Sequence, residues 1–414
     1  MRLTVRTTPI EEDRPLLEVL PAAPDALAWI RDGQGLVAWG TATRLDPGPG
    51  AGRFDRARTA FEELAAKAEV DDEVRRPGTG LVAVASFSFD AASPGSVVTV
   101  PRVVVGRRDG VTWRTEIVPD GAPAPASPSR RGAPSTRRDR PRYAGSSLPD
   151  VHWLEAVARA VARIQQGEAD KVVLARDHAV WSREPFDPLD LARRLTARFP
   201  RCHTFVVDGL VGATPELLLA KHGRAVTSRV LAGTTGRSHD EAQDAALGAA
   251  LLASDKDLAE HAYAAASVSE VLAPRCADLE GDGAPRLLRL DNVQHLATTY
   301  HGHLDDPTTS VLDVVAALHP TAAVGGTPRD VALRMIAELE GMSRGRYAAP
   351  VGWMDAAGDG EWGIALRCAE LQGARARLFA GVGVVAASLP EAELEETRLK
   401  LRAMQAALDA ETAD

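Results

Sequence analysis

Between Pro119 and Pro149 the chain loses every trace of periodicity, and this break is the strongest constraint on how its 414 residues divide. The stretch is rich in Pro, Gly, Ser and Arg, with Arg130-Arg131 and Arg137-Arg138-Asp139-Arg140. Too few of its residues are apolar to offset the entropy of ordering the chain, so it reads as a solvated, flexible loop. A basic arm for nucleic acid is the competing reading, but no aromatic platform interleaves the arginines. The break separates an N-terminal part, 1–118, from a longer region, 150–408.

Residues 1–118 read as alternating strands and helices. Strands at 26–30 and 36–42 flank Asp32-Gly33, a hairpin-type turn signal. Helical spacing runs over 53–68 (Phe54, Ala57, Phe61, Leu64, Ala65), and 81–89 and 97–105 look like strands. After the loop, Asp150 is placed to cap a helix with the apolar stripe Val151, Leu154, Val157, Val161 and Ile164, closed by Gly167. A short apolar strand follows from Lys171 to Arg176. Ser238 and Glu241 form a capping-box pattern, and Ser254 precedes a helix that Pro274 stops. The spacing predicts adjacent strands at 362–371 and 376–385, and Pro390 opens a helix to about 408. Nothing repeats at a solenoid period, so the pattern predicts one large α/β (α+β) unit.

Composition narrows the partners. With 45% hydrophobic and 25% charged residues and a net charge of −9, the chain can build a core, and nothing suggests a basic surface for nucleic acid or an anionic membrane. No apolar run approaches the roughly 18 residues of a membrane helix, and residues 1–10 lack a signal-peptide core. Cys202, Cys276 and Cys368 lie far apart with no C-x-x-C pair, which fits neither a disulfide framework nor a zinc site. A reduced, cytoplasmic compartment is expected.

Two acidic pairs carry the strongest chemical signal. Asp257 and Glu260 share one helix face, and Glu393 and Glu396 repeat the spacing with Lys400 continuing the stripe. Four carboxylates from two helices suit a hard divalent cation. Either pair alone reads first as acids favoured by a helix N-terminus, with Glu396–Lys400 an ordinary surface pair. Lys171 opens an otherwise apolar strand; facing a closed pocket it would be a usable general base, facing water it marks a strand end. Glu216, between a turn and an apolar strand, is either a strand-edge charge or a buried general acid. Gly233-Thr234 and Gly381-Val382-Gly383 can cradle an anion through backbone N–H groups, but neither is a nucleotide fingerprint. Arg367 is a carboxylate fork if it points inward. His295 reads as a hydrogen-bonded structural histidine or a site residue.

Taken together and in order, these segments resemble the chorismate-utilising enzymes, which include isochorismate, salicylate, anthranilate and aminodeoxychorismate synthases. The matching stretches run from Lys171-Val-Val-Leu-Ala-Arg176 and Gly212-Ala-Thr-Pro-Glu216 through Leu231-Ala-Gly-Thr234 and Ser254-Asp-Lys-Asp-Leu-Ala-Glu-His261. They continue with Gln294-His-Leu-Ala297, Leu318-His-Pro-Thr321, Ala365-Leu-Arg-Cys-Ala369, Leu378-Phe-Ala-Gly-Val-Gly383 and Glu393-Leu-Glu-Glu-Thr397. Residues 1–118 resemble the variable part of the same fold only loosely.

The resemblance implies two β-sheet/helix subdomains packed as one unit, with the site between sheet and helices. It implies that Glu260 and Glu396 hold Mg²⁺ with Asp257 and Glu393 beside them, and that the metal meets the ring carboxylate of chorismate. It implies a clamp on the enolpyruvyl carboxylate by Arg367 and the backbone near Gly383, with Gly233, Thr234, His295 and Lys400 also around the substrate. Lys171 takes the place of the base that activates a nucleophile at ring carbon 2, and Glu216 that of the acid at carbon 4. Lys171 stands where anthranilate-type enzymes carry glutamine, and Ala232 where aminodeoxychorismate synthases carry lysine. Water is therefore the expected nucleophile, with no glutaminase subunit as partner. The expected product is isochorismate. Salicylate formation with loss of pyruvate is the runner-up, disfavoured by Phe379, and anthranilate synthesis comes third.

Overall fold

The computed structural model describes residues 1–21, 23–125 and 140–409. Arg130-Arg131 and the 137–139 segment lie outside the described residues, whereas Arg142–Gly145, inside the stretch read as loop, forms a short strand against Lys171–Trp181.

The strand Val97–Arg108 is the hub of the sheet. Gln34–Leu45 pairs along one edge, and Val82–Ser86 and Val111–Pro119 share the other. One arm leaves Gln34–Leu45 through Leu27–Arg31, His203–Val207, Leu210–Thr214, Cys368–Gln372 and Arg375–Val384, and reaches Lys171–Trp181. The other leaves Val82–Ser86 through Pro350–Asp355, Gly360–Ile364, Leu217–His222 and Ala225–Gly236, and reaches Val293–His303. Among the described strands only Leu3–Pro9 with Glu69–Asp72 is a parallel pair. That makes the architecture α+β, with antiparallel arms and helices on their faces.

Local chemistry explains several elements. Asp32 and Gly33 both take positive φ, 50° and 74°, so the Leu27–Arg31/Gln34–Leu45 hairpin closes through a primed turn that matches strand twist. Ser254 caps the Asp255–Leu272 helix by accepting from the Asp257 N–H. Two capping expectations differ from the structure. The helix Glu241–Leu252 is capped by Asp240, not Ser238, because Asp240 reaches the Gln243 N–H at 2.8 Å. Asp150 sits inside the first turn of Asp150–Gln165, and its carboxylate pairs with Arg176 and Arg398 instead of capping.

Two apolar clusters fill the molecule, and both draw on each half of the chain. Trp29, Phe54 and Phe87 join Trp353, Trp362 and Val382 in one; Val37 and Val103 join Leu195, Ala380 and Met404 in the other. Residues 1–118 therefore share their cores with the region that carries the chemistry. Residues at the ends of both sheet arms line one cavity, and the helices Asp255–Leu272 and Pro390–Asp409 pack on those strands. The site lies at that junction.

Candidate active site

The strand Ala225–Gly236 pairs regularly with Val293–His303 until a register shift between Ala232 and Thr234. Gly233 is the extra residue, at φ +77°, a left-handed conformation that a side chain resists. A Cβ there would also press on Leu296 and on Asp257, each within 3.3 Å. The bulge sets Thr234 opposite His295, with Thr234 Oγ1 3.1 Å from His295 Nδ1. His295 is buried, and burial together with Arg367 holds its pKa well below the ordinary histidine value. Arg367 Nη2 lies 3.0 Å from His295 Nε2. A guanidinium only donates, so Nε2 accepts and the ring proton sits on Nδ1.

Arg367 owes its inward direction to a break in the strand predicted at 362–371. The structure has two strands there, Gly360–Ile364 and Cys368–Gln372, with Arg367 between them at φ +48°. Left-handed backbone at a non-glycine costs about 1–2 kcal/mol, an expense met at sites where a side chain must be aimed. Its Nη1 donates to the Lys400 carbonyl at 3.3 Å, so sheet, histidine and the Pro390–Asp409 helix fix the fork together.

Lys171 begins the strand Lys171–Trp181 and is fully buried. Its Nζ is 3.3 Å from Glu260 Oε1 and 3.5 Å from the Glu260 carbonyl. Gly383, on the neighbouring strand, must lack a side chain. A Cβ there would overlap Glu260 Oε1 and come within 2.8 Å of Lys171 Cε. Glu216 follows the strand Leu210–Thr214, and only 3% of its surface is exposed. Burial raises its carboxyl to about 8 against the opposing pull of Lys171, Lys400 and Arg229, so it keeps its proton at neutral pH.

Glu216, Gly233, Thr234, Glu260, His295, Arg367, Gly383 and Lys400 all line one cavity, with Lys171 immediately behind Glu260 and Gly383. The cavity holds about 70 Å³ of free space. Lys400 is folded across it, 2.9 Å from the Gly381 carbonyl and 2.7 Å from Glu396.

The acidic residues tell a related story. Lys256 Nζ is 2.6 Å from Glu393 Oε1, and the negative fields of Glu393, Glu396 and Glu260 together hold its ammonium above the ordinary lysine value despite burial. Burial and Glu396 push the Glu393 carboxyl up. Among the described residues no three such side chains already converge at coordination distance. Glu260, Glu393 and Glu396 are each tied to a lysine, at 3.3, 2.6 and 2.7 Å. The three lysines are different, Lys171, Lys256 and Lys400, but the fields of all three acids reach Lys256, and an all-carboxylate donor set of this kind has the chemistry a hard cation such as Mg²⁺ prefers.

Sequence reasoning missed three contributors. Tyr347 is buried and stacks on Phe379, centroids 4.9 Å apart and planes at 8°. Arg344 and Glu340 form a buried ion pair in the cavity wall, Arg344 donating to the Val324 carbonyl at 2.7 Å and the Val173 carbonyl at 2.8 Å. The run Arg344-Gly345-Arg346-Tyr347 was the available signal, an Arg/Tyr cluster between a helix and a strand.

This cavity and fold belong with a known class. The chain is a member of the chorismate-binding enzyme family, whose model matches residues 124–409. It is 42% identical over 267 residues to the isochorismate synthase DhbC of Bacillus subtilis, covering 62% of this chain and 67% of that one. It is 36% identical over 413 residues to the salicylate biosynthesis isochorismate synthase of Pseudomonas aeruginosa, covering 93% and 85%. The solved structure of MenF, the menaquinone-specific isochorismate synthase of Escherichia coli, superposes with a TM-score of 0.80 at 25% identity, over 98% of this chain and 94% of that one.

Proposed function

We propose that this chain is an isochorismate synthase that uses Mg²⁺ to convert chorismate to isochorismate. The observation that carries the reading is one cavity lined by the Arg367 fork and by Glu216, whose carboxyl burial raises to about 8, with the buried Lys171 Nζ directly behind its Glu260 wall. Glu260 and Glu396 hold the metal, with Asp257 and Glu393 beside them. Bound there, Mg²⁺ offsets the charge of the ring carboxylate that these acids would otherwise repel. Gly233, Thr234 and Lys400 border that carboxylate. Arg367, kept in place by neutral His295, takes the enolpyruvyl carboxylate as a bidentate fork near the Gly383 backbone.

Lys171 withdraws a proton from water as its oxygen bonds to ring carbon 2. Both conjugated ring double bonds shift by one position, from carbons 1–2 and 5–6 to carbons 1–6 and 4–5, the carbon 4–oxygen bond breaks, and Glu216 delivers its proton so that the hydroxyl leaves as water. One proton is gained by Lys171 and one lost by Glu216, so the sum is an isomerisation. Ala232 offers no nucleophile to the ring, which supports water as the attacking group.

Free, buried Cys202, Cys276 and Cys368 support a reducing, cytoplasmic setting. No helix among the described residues is long and apolar enough to cross a membrane. Residues 1–118 act as part of the catalytic fold, supported by their shared cores. Product chromatography after incubation with chorismate and Mg²⁺ tests the function. Isochorismate with little pyruvate is expected; salicylate with stoichiometric pyruvate, or an ammonia-dependent aminobenzoate, would replace the reading.

A further inference from the structure

The segment that carries Arg344 and Tyr347 has two faces. One lines the cavity just described. Behind the other lies a second cleft, bounded by the helices Arg53–Ala65, Val311–Leu318 and Arg329–Leu339 and by residues 89–93, with about 560 Å³ of free space. That volume suits a small organic ligand. Phe54, Phe89, Leu333, Ile336 and Met342 give it apolar walls; with Arg344 and Glu340 paired to each other, Arg53 and Arg329 stand against the single carboxylate of Asp90 and leave a net positive lining.

Two of the lining side chains leave a buried polar atom without a partner: Arg53 Nε and His319 Nδ1. The residues are only 4% and 6% exposed, and a buried donor or acceptor left unpaired is costly. Arg53 spends its terminal nitrogens on the carbonyls of Gly50, Ser88 and Phe89, at 3.5, 3.2 and 3.4 Å, which leaves the Nε–H as its open donor. His319 Nε2 lies 3.2 Å from the Phe89 carbonyl, which only accepts. The ring proton is therefore on Nε2, and Nδ1 is an acceptor. The complement of these walls carries a carboxylate for Arg53, a hydroxyl for His319 and a flat hydrocarbon body against the Phe54 and Phe89 rings, which flank His319 at 5.9 and 5.6 Å.

We propose that this cleft is a second small-molecule site, for a hydroxylated aromatic carboxylate, and that its occupancy alters turnover at the first cavity through Arg344. A buried ion pair stands between the two spaces, Arg344 with Glu340, the latter on the side of the second cleft. Arg344 lines both, and its guanidinium sits 4.2 Å over the Phe89 ring of the second cleft. The same guanidinium holds the carbonyls of Val173 and Val324, both of which line the first. Its partner Glu340 accepts from the Ala175 N–H at 2.8 Å, on the strand that begins with Lys171. A ligand pressing on Phe89 and Arg344 thus acts on the backbone that positions Lys171, and by linkage substrate must act back on the ligand.

Calorimetric titration of the full chain with benzoate and the three hydroxybenzoate isomers tests the site without reference to catalysis. At least one hydroxy isomer is expected to bind more tightly than benzoate. Leu333→Trp, which fills the cleft from a half-buried helix position, should abolish binding, and Arg53→Met should weaken it by roughly tenfold or more. Arg367→Ala should leave it unchanged. Binding that survives Leu333→Trp, or that disappears with Arg367→Ala, would put the acid in the first cavity and overturn the proposal. So would the absence of binding by all four acids at millimolar concentration. In turnover assays the bound isomer should change kcat or KM for chorismate in the parent chain and not in Leu333→Trp; identical kinetics at saturating acid would overturn the coupling.

Discussion

Glu216→Gln keeps the shape of a buried carboxyl and removes its proton, so it separates packing from acid chemistry. In the unfolded chain this glutamate titrates near 4.5, in the folded chain near 8, because burial penalises the charged form. Between those values the folded state holds a proton that the unfolded state has released. Stability from this group is thus fully present below pH 4.5 and is lost as pH rises through 8. The whole loss is at most about 5 kcal/mol, from roughly 1.4 kcal/mol per pH unit. Glutamine cannot ionise and escapes it. Thermal unfolding of parent and variant across about pH 5 to 9 should show a Tm gap that widens in favour of the variant as pH rises. Turnover of the variant should fall by about 10²-fold or more, with a smaller change in KM, since the amide has no proton to deliver. Parent activity should decline above about pH 8, where the acid ionises. A Tm gap independent of pH would refute the buried protonated carboxyl, and near-normal turnover would refute its role as the acid.

Lys171→Ala should lower kcat by about 10²-fold or more while KM moves little; a variant that lost only affinity would make Lys171 a binding group. EDTA should abolish turnover and added Mg²⁺ restore it, and full activity of metal-free protein would remove Glu260 and Glu396 from metal binding. Gly383→Ala places a methyl group where Glu260 and Lys171 now lie. It should cost about 1–3 kcal/mol in chemical denaturation and most of the activity; a stable, active variant would show that the close approach is dispensable.

Much of this protein was legible before folding. The Asp32-Gly33 turn, the Ser254 cap and the Pro390 helix start depend on φ preferences and hydrogen bonds within a few residues, so local sequence decides them. The order of motifs from Lys171 to Thr397 placed the chain in its family, because chemistry that needs several residue types at fixed places leaves a linear trace. Only the tertiary structure decided how 1–118 is used. Leu27–Arg31 pairs with His203–Val207 and Val82–Ser86 with Pro350–Asp355, and such partners are chosen by long-range burial that no local pattern encodes. The same holds for the left-handed turn at Arg367, which breaks an apolar run that reads as one strand. It holds for the Arg344–Glu340 wall, two ordinary helix-end charges until the sheet closes over them. Whether Glu216 carries a proton was equally out of reach, because desolvation belongs to the folded environment and not to the residue.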